Sequence, residues 1–298
     1  MNQLMEYPYY HICTDENHPD LFVSDTDFKS GINILGLCLS LYEDLSLYSF
    51  AFMSNHLHLL MLGNIGRIED FISFYFKTMK RYFRAEGKND SISELSASFH
   101  KVDNNDHLLN VVAYIHRNAN VIDRNFTPYT YRWSSGRYYF NPEARERYQA
   151  CRKRLTLGQR QQFTRSRKFD GVVNLYEVDN YVSPLSFCKI DAGEKLYVSA
   201  SQYMYHLMKN VESSKSISAE IGEHISYSDY DLYPVVRKKA SSLFMTEDIA
   251  SLSVNQKLQM AKLLRYDYSS GNKQISRLLK VDVAVINNWF PSSGPVRR

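Results

Sequence analysis

Two histidines separated by one residue are the first side chains in this 298-residue chain whose type and spacing suit chemistry. They are His56 and His58, with Leu57 between them. Side chains alternate between the two faces of a β-strand, so both imidazoles would point the same way while Leu57 points into the core. Two imidazoles on one face can bind a single divalent ion. The alternative is a pair of surface or buried histidines without a ligand, and the pair alone does not decide between the two.

A second group lies on a predicted helix, in the segment Tyr114-Ile115-His116-Arg117-Asn118. Residues four apart share a helix face, so the Tyr114 phenol and the Asn118 carbonyl oxygen can approach a common point. A phenol of pKa ~10 is a weak nucleophile at neutral pH unless its target is polarised, which a metal on the phosphate oxygens achieves. The product would be a covalent phosphotyrosine. Because the chain contains 23 tyrosines, a packing role for Tyr114 is the open alternative.

The elements that must hold these residues are predicted from hydrophobic periodicity. Alternating or buried apolar runs predict strands over 9–14, 45–53 and 56–62, and a short strand over 99–102. Helices are predicted over 25–42, 68–85 and 106–118, the second with apolar residues at three- and four-residue steps. This order predicts an α+β fold in which helices pack on an antiparallel sheet.

The composition changes after Pro142. Residues 142–250 are predicted to form a basic, mainly helical region with a loop over 213–218. Three short helices are predicted over 254–265, 272–279 and 282–290, and the apolar spacing from Ile275 to Trp289 is that of a helix-turn-helix. We therefore predict three domains, 1–141, 142–250 and 251–298, of which the last is a helix-turn-helix DNA-binding domain in an all-α C-terminal region.

Positive charge is segregated along the chain, although the net charge is only +4. Residues 143–168 hold nine basic against two acidic side chains, and residues 255–298 hold eight against two. Such segregation is typical of nucleic-acid-binding proteins, with a solvated basic face as the alternative. The sequence shows no apolar run of ~18 residues that could span a membrane, no secretion signal and no disulfide framework. We therefore expect a reducing, cytoplasmic location.

Three segments, taken in order, resemble the HUH single-tyrosine transposases, in particular the REP-associated branch. They are Ala51–Met61 (AFMSNHLHLLM), Ala113–Asn118 (AYIHRN) and Tyr131–Ser135 (YRWSS), within a resemblance that covers roughly residues 6–140. The family usually has a proline before Asn55 and another after Asn118, where this chain has Ser54 and Ala119. Neither departure removes a chemical group, but the second affects how Asn118 is placed.

The resemblance implies a ferredoxin-like sandwich over residues 1–141 and a metal-dependent reaction on single-stranded DNA. It implies His56 and His58 as metal ligands, Tyr114 as the catalytic nucleophile and Asn118 as a further ligand, with Mg²⁺ or Mn²⁺ as the cofactor. The implied activity is that of an endonuclease and strand transferase that acts beside DNA hairpins through a phosphotyrosine. The implied partner is single-stranded or hairpin DNA, and pairing of two copies as a homodimer is left open.

Further candidates for DNA contact are basic or amide side chains, for which solvated surface is the alternative. They are Lys77, Lys80, Arg81, Arg84, Lys101, Arg132, Arg137, Lys273, Arg277, Asn287 and Asn288. Trp133 is predicted to pack in the core and His116 to have a structural role. Two other functions stay open: a catalytically silent DNA-binding or regulatory protein, and a metal hydrolase that uses the histidine pair to activate water.

Overall fold

The computed structural model describes residues 7–14, 21–88, 95–122, 127–208, 229–268 and 270–291. The chain forms two compact units, Met1–Met208 and Lys209–Arg298. This division differs from the three predicted domains, because residues 142–207 pack against the elements that precede them instead of forming a region of their own. The predicted loop over 213–218 lies outside the described residues.

An antiparallel sheet of four strands forms the centre of the first unit. Its strands are β1 (Tyr9–Thr14), β2 (Ser46–Phe52), β3 (Leu57–Leu62) and β4 (Ala97–Val102), in the spatial order β2-β3-β1-β4. All neighbouring strands are antiparallel, and β2 turns tightly into β3, where the Met53 amide donates to the His56 carbonyl at 2.8 Å. Helices combined with this sheet agree with the predicted α+β class. The strand ends lie within two residues of those predicted.

Three helices flank this sheet: α1 (Asp25–Leu39), α2 (Ile65–Ala85) and α3 (Asn105–Ile122). Ser24 caps α1 by accepting a hydrogen bond from the Asp27 amide, and Asn64 caps α2 by accepting one from the Gly66 amide. Because Asn64 supplies this cap, α2 begins three residues before its predicted start. The helix α1 ends three residues before its predicted end, where the Ser40 amide bonds back to Gly36.

Side-chain alternation gives the four-stranded sheet two different faces. On one face, Phe52 and Phe22 pack against α1 so closely that a Cβ added to Gly31 would lie 2.7 Å from each ring. The Tyr75 hydroxyl of α2 donates to the Gly31 carbonyl at 3.3 Å, which ties α2 to α1 on this face. On the opposite face, β2 contacts α3 through Ser49. We call these the α1/α2 face and the α3 face.

Residues 142–207 add short elements to the first unit. The helices are α4 (Pro142–Cys151), α5 (Leu157–Thr164), α6 (Ile190–Glu194) and α7 (Ala200–Leu207). They alternate with a second sheet of β5 (Lys153–Arg154), β6 (Tyr176–Val178) and β7 (Tyr181–Val182). The Val182 amide donates to Asn33 of α1 at 2.7 Å, and the Tyr197 hydroxyl donates to the Leu109 carbonyl of α3 at 2.7 Å. These bonds join residues 142–207 to both layers of helices.

The β6–β7 hairpin corrects the prediction that the region after residue 141 is all α. Val178 pairs with Tyr181, and the two residues between them, Asp179 and Asn180, have φ of 58° and 63°. Positive φ at both central positions is the turn whose twist matches that of the two strands. Asp and Asn tolerate this conformation better than most residues, so the Asp-Asn pair is the sequence signal for this hairpin.

The second unit is helical over its described residues. It contains α8 (Asp229–Phe244), α9 (Val254–Asp267), α10 (Asn272–Leu279) and α11 (Val283–Trp289). Ile275 and Leu279 of α10 and Ile286 of α11 are fully buried. The three helices predicted for this end of the chain are therefore present, within two residues at each end. In the described parts of the whole chain, no helix is both long and apolar enough to cross a membrane.

The burial of Leu59 in β3 predicts how much a truncation there destabilises the fold. Leu59 is fully buried, so Leu59→Ala should lower the free energy of unfolding by about 2–5 kcal/mol. Leu157→Ala is the matched control, because Leu157 of α5 is 49% exposed and its truncation should cost less than about 1 kcal/mol. Urea unfolding followed by near-ultraviolet circular dichroism measures both variants. Equal losses would contradict the packing of β3 described above.

Candidate functional site

His56 and His58 lie at the start of β3 with their rings on the same side. His56 precedes the strand by one residue, and His58 is its second residue. Their ring centroids are 4.9 Å apart and the ring planes are at 89°. Leu57 between them is fully buried and pairs with Phe52 on the α1/α2 face. The alternation predicted for these three side chains is present in the structure.

Tyr114 of α3 lies over the same face of the sheet as His58. Its ring centroid is 5.5 Å from that of His58 and 6.0 Å from that of His11, and the rings meet edge-on in both cases. Tyr114 is 8% exposed. The packing of α3 on the sheet thereby brings the predicted nucleophile beside the predicted metal-binding pair.

Three further histidines surround this group, and the sequence analysis did not single them out. His11 Nε2 lies 3.3 Å from His58 Nδ1, with the two rings nearly parallel. His11 is also 6.3 Å from His100 between ring centroids, and His107 of α3 is close enough to affect its pKa. The strand β1 pairs with both β3 and β4, which places His11 directly opposite His100. This pairing between distant segments collects the histidines on the α3 face.

Burial keeps the imidazoles of His11, His56 and His58 neutral. Burial lowers the pKa of His11 to about 3, with smaller contributions from the charges of His100 and His107. Burial also lowers the pKa of His56 to about 4. For His58, burial and then the neighbouring His56 and His11 lower the pKa well below 6.5. A neutral imidazole keeps one nitrogen lone pair, and this is the form that binds a metal.

The hydrogen bonding of His56 suits a metal ligand. Its Nδ1 lies 2.8 Å from Oδ1 of Asn55. Because a carbonyl oxygen only accepts, Nδ1 carries the proton and Nε2 carries the lone pair. His56 Nε2 is buried and has no hydrogen-bond partner within the described residues. Metal-binding histidines typically donate from their other ring nitrogen in this way, and His11 is the corresponding neighbour of His58 Nδ1.

The donor set consists of two imidazoles and one predicted amide. In the part of the chain that the structure describes, no group of three or more His, Cys, Asp or Glu side chains is arranged to hold a metal ion. A site at His56 and His58 therefore needs a ligand of another type, and Asn118 is the predicted one. Asn118 is buried one turn after Tyr114, and its amide nitrogen donates to the Tyr114 carbonyl at 3.2 Å. Its role as a ligand stays a prediction.

His116 holds α3 in place through a buried hydrogen-bond network. Its Nε2 lies 2.9 Å from Ser49 Oγ and 2.8 Å from Ser135 Oγ, and its Nδ1 lies 2.8 Å from the Tyr203 hydroxyl. The backbone approaches so closely here that a Cβ on Gly136 would lie 2.9 Å from the imidazole Cγ. These contacts give His116 the structural role expected for it.

The candidate DNA-contacting residues of the first unit differ in exposure and in whether they already bond to other residues. Arg132 forms an ion pair with Asp25 at 3.1 Å and lies 4.9 Å over the Trp133 ring. Trp133 is buried and stacks on Phe28 at 5.0 Å, so it packs in the core as predicted. Of the other candidates of this unit, Lys80 and Arg137 are half-buried, and the rest are exposed: Lys77, Arg81, Arg84 and Lys101.

The candidate DNA contacts of the second unit lie on α10 and α11. Lys273 and Asn288 are exposed. Arg277 is bound to Asp229 of α8, with Nε 2.5 Å from the carboxylate. The side-chain oxygen of Asn287 accepts a hydrogen bond from Asn272 at 2.9 Å. Arg277 and Asn287 are therefore held within the unit, while Lys273 and Asn288 point to solvent.

Comparison with known proteins identifies no relative of this chain. No protein-family model matches the chain, and no curated protein and no solved structure matches it either. The resemblance to the HUH transposases therefore rests on the three sequence segments alone. The geometry of the histidines and Tyr114 has to carry the functional inference.

Removal of one imidazole should strongly weaken metal binding. We predict that His56→Ala weakens Mn²⁺ binding by more than about 100-fold, because loss of a ligand should exceed the ~10–100-fold loss typical of an outer-shell partner. Asn55→Ala should fall in that lower range. His206→Ala is the control, since His206 of α7 bonds to Asn110 instead of lying in this cluster. Isothermal titration with Mn²⁺ measures all three, and unchanged affinity in His56→Ala would refute the assignment.

Burial of His116 should make the folded state sensitive to acid. Burial lowers its pKa from 6.5 to about 3, so below pH 6.5 the unfolded chain takes up a proton that the folded chain does not. The stabilisation is complete above pH 6.5 and is lost as the pH falls towards 3, by ~1.4 kcal/mol per pH unit. In His116→Gln the pH slope of the unfolding free energy should be smaller by this amount. Urea unfolding without metal at about pH 6 and about pH 5 measures it, and identical slopes would contradict the prediction.

Proposed function

We propose that this chain is a metal-dependent single-stranded DNA endonuclease and strand transferase, with Tyr114 as its catalytic nucleophile. The observation that carries the proposal is the approach of the Tyr114 ring to His58, 5.5 Å between centroids, beside the His56–His58 pair. A nucleophile next to imidazoles that can hold a metal is the set of groups this reaction needs. The resemblance of three sequence segments to the HUH single-tyrosine transposases supports the same function.

The proposal includes a fold for each unit. The element order β1-α1-β2-β3-α2-β4, with the spatial order β2-β3-β1-β4, supports a ferredoxin-like sandwich in the first 141 residues. In the second unit, α10 ends at Lys280 in the left-handed conformation and α11 begins at Val283. Two short helices joined by so tight a turn support a helix-turn-helix. Such a unit would bind the duplex stem of a DNA hairpin.

In the proposed reaction, His56 and His58 would hold Mg²⁺ or Mn²⁺, and Asn118 would supply an oxygen ligand. When bound, the ion polarises the phosphate and orients the scissile bond. The phenolic oxygen of Tyr114 attacks the phosphorus and the bond to the leaving sugar oxygen breaks. The phenol loses its proton and the sugar oxygen leaves as a hydroxyl, so protons balance over the step. The phosphotyrosine retains the energy of the phosphodiester bond, so a second DNA end can displace the tyrosine without ATP.

A second candidate function is that of a catalytically silent DNA-binding protein. The observation in its favour is that Tyr114 is 8% exposed and that the Asn118 amide is bonded within its own helix. A buried phenol has to become accessible before it can meet a phosphate. A protein that binds DNA without cutting it would not need this change.

A covalent adduct tests the leading proposal. Incubation with fluorescent, hairpin-bearing single-stranded DNA and Mn²⁺ should give a protein–DNA species that survives a denaturing gel. Tyr114→Phe should give none, because it keeps the ring beside His58 but lacks the attacking oxygen. Tyr205→Phe is the matched control, since Tyr205 is 66% exposed on α7. Chelation of the metal with EDTA before the DNA is added should prevent the adduct from forming.

The other outcomes separate the remaining functions. DNA binding without an adduct in the unaltered protein would favour the silent DNA-binding protein. Free cleaved ends that persist in Tyr114→Phe would indicate a metal-activated water as the nucleophile. An adduct of equal yield in Tyr114→Phe would show that a different residue attacks the phosphate.

A further inference from the structure

A groove of about 760 Å³ lies between α2 and the edge strand β4. Its apolar floor includes Ile72 and Phe76 of α2 and Phe99 of β4. Phe99 pairs with Ile12, whereas the adjacent His100 pairs with His11. Because neighbouring strand residues point to opposite faces, the groove lies on the α1/α2 face and the histidines on the α3 face. The proposed reaction leaves this groove without a role.

Four basic side chains of α2 line the groove: Lys77, Lys80, Arg81 and Arg84. Lys77, Lys80 and Arg84 follow one another along α2 at steps of three and four residues, or ~4.5 and ~6 Å along the helix axis. Among the described residues, neither Lys77 nor Arg84 has an ion-pair partner. Of the described residues that line the groove, Glu69 alone is acidic. The groove therefore combines a row of positive charges with an apolar floor.

Two other cations, Arg81 in the groove and Arg165 near it, are bound to other residues, unlike Lys77 and Arg84. Arg81 donates from Nη2 to the Thr164 carbonyl at 2.9 Å, which ties α2 to α5. Arg165 forms an ion pair with Glu86. The charges of Lys77 and Arg84 are thus not consumed by the packing of α2 against residues 142–207. They remain available to an anionic ligand.

We propose that this groove binds a segment of single-stranded DNA. Regularly spaced cations match a chain of phosphates, and an apolar floor with aromatic rings matches unstacked bases. Pockets of about 300–1,000 Å³ enclose ligands of drug size, so the groove has room for roughly one or two nucleotides and none for a duplex. The inference rests on the proposed function for the presence of a single strand.

The groove lies apart from the residues proposed to carry out the reaction. A strand held there lies across the sheet from Tyr114 and has to pass the β4 edge to reach it. Substitutions in the groove should therefore weaken DNA binding without touching the groups that react. This makes affinity, rather than the yield of adduct, the decisive measurement.

The experiment measures binding of a fluorescent oligodeoxythymidine without a hairpin to the full-length chain, by fluorescence anisotropy. All proteins carry Tyr114→Phe so that no covalent product contributes. Lys77→Gln with Arg84→Gln should weaken binding by about tenfold or more and reduce the salt dependence by ~0.7 for each phosphate that is no longer neutralised. Phe99→Leu should weaken binding about fivefold, because a base can no longer stack on the ring. Lys189→Gln with Lys195→Gln removes the same charge from another surface and should leave affinity unchanged.

Several results would overturn this inference. The groove is not the site if the Lys77/Arg84 double variant binds as tightly as the Lys189/Lys195 control. A loss of duplex-DNA affinity in the Lys77/Arg84 double variant as large as its loss of oligodeoxythymidine affinity would show that single strands are not the ligand of the groove. Displacement of the strand by a polyglutamate peptide at the same concentration as by oligodeoxythymidine would show the same. If Phe99→Leu misfolds, the charge variants still test the inference, because their altered side chains reach solvent.

The adduct experiment keeps the two proposals apart. If the unaltered protein gives no adduct while the groove variants lose affinity, the proposed reaction fails and the groove assignment holds. If the adduct forms while the groove variants bind like the control, the groove assignment fails and the reaction stands.

Discussion

The position of α3 on the sheet depends on a buried imidazole whose two nitrogens are both satisfied. His116 meets Ser49 and Ser135 on one side and Tyr203 on the other. Such a network stabilises one arrangement of helix and sheet, because any rotation of the helix would leave buried polar groups without partners. Tyr114 is two residues away on the same helix, so its direction is fixed at the same time. The histidine and tyrosine site is a consequence of this docking.

Local patterns in the sequence predict part of this arrangement. The alternation of His56, Leu57 and His58 and the helical periodicity of α2 involve only neighbouring residues, and both are found. The approach of His11 to His58 and to His100 is different, because it depends on the pairing of β1 with two strands that are distant in sequence. Hydrophobic patterns identify a strand without identifying its partners, so these imidazoles had no local signal. The β6–β7 hairpin does have a local signal, which is its Asp-Asn turn. The helical pattern predicted for the surrounding residues led to a helical prediction there instead.

Formal charge along the sequence overstates the basic surface of the folded chain. In the segment 143–168, Arg145 is bound by Asp191 and Glu194, and Arg147 is bound by Asp179. These acidic groups come from later in the chain, so a count within the segment misses them. Lys77 and Arg84 of the groove on α2 lie outside both basic segments and have no ion-pair partner among the described residues. Where positive charge is available to a nucleic acid is therefore set by tertiary contacts.

The docking of α6 and α7 limits how far this chain can be shortened. A fragment ending at residue 141 would lack Tyr203 and Tyr197, so His116 Nδ1 would lose its hydrogen-bond partner and the Leu109 carbonyl would lose the donor that joins α3 to residues 142–207. It would also uncover Tyr139, whose hydroxyl lies 1.8 Å from where a Cβ on Gly193 would be. The three segments that resemble those of the HUH transposases are thus not a separable module in this chain. Loss or exchange of parts by recombination can be tolerated beyond α7, at the boundary between the two units, but not before it.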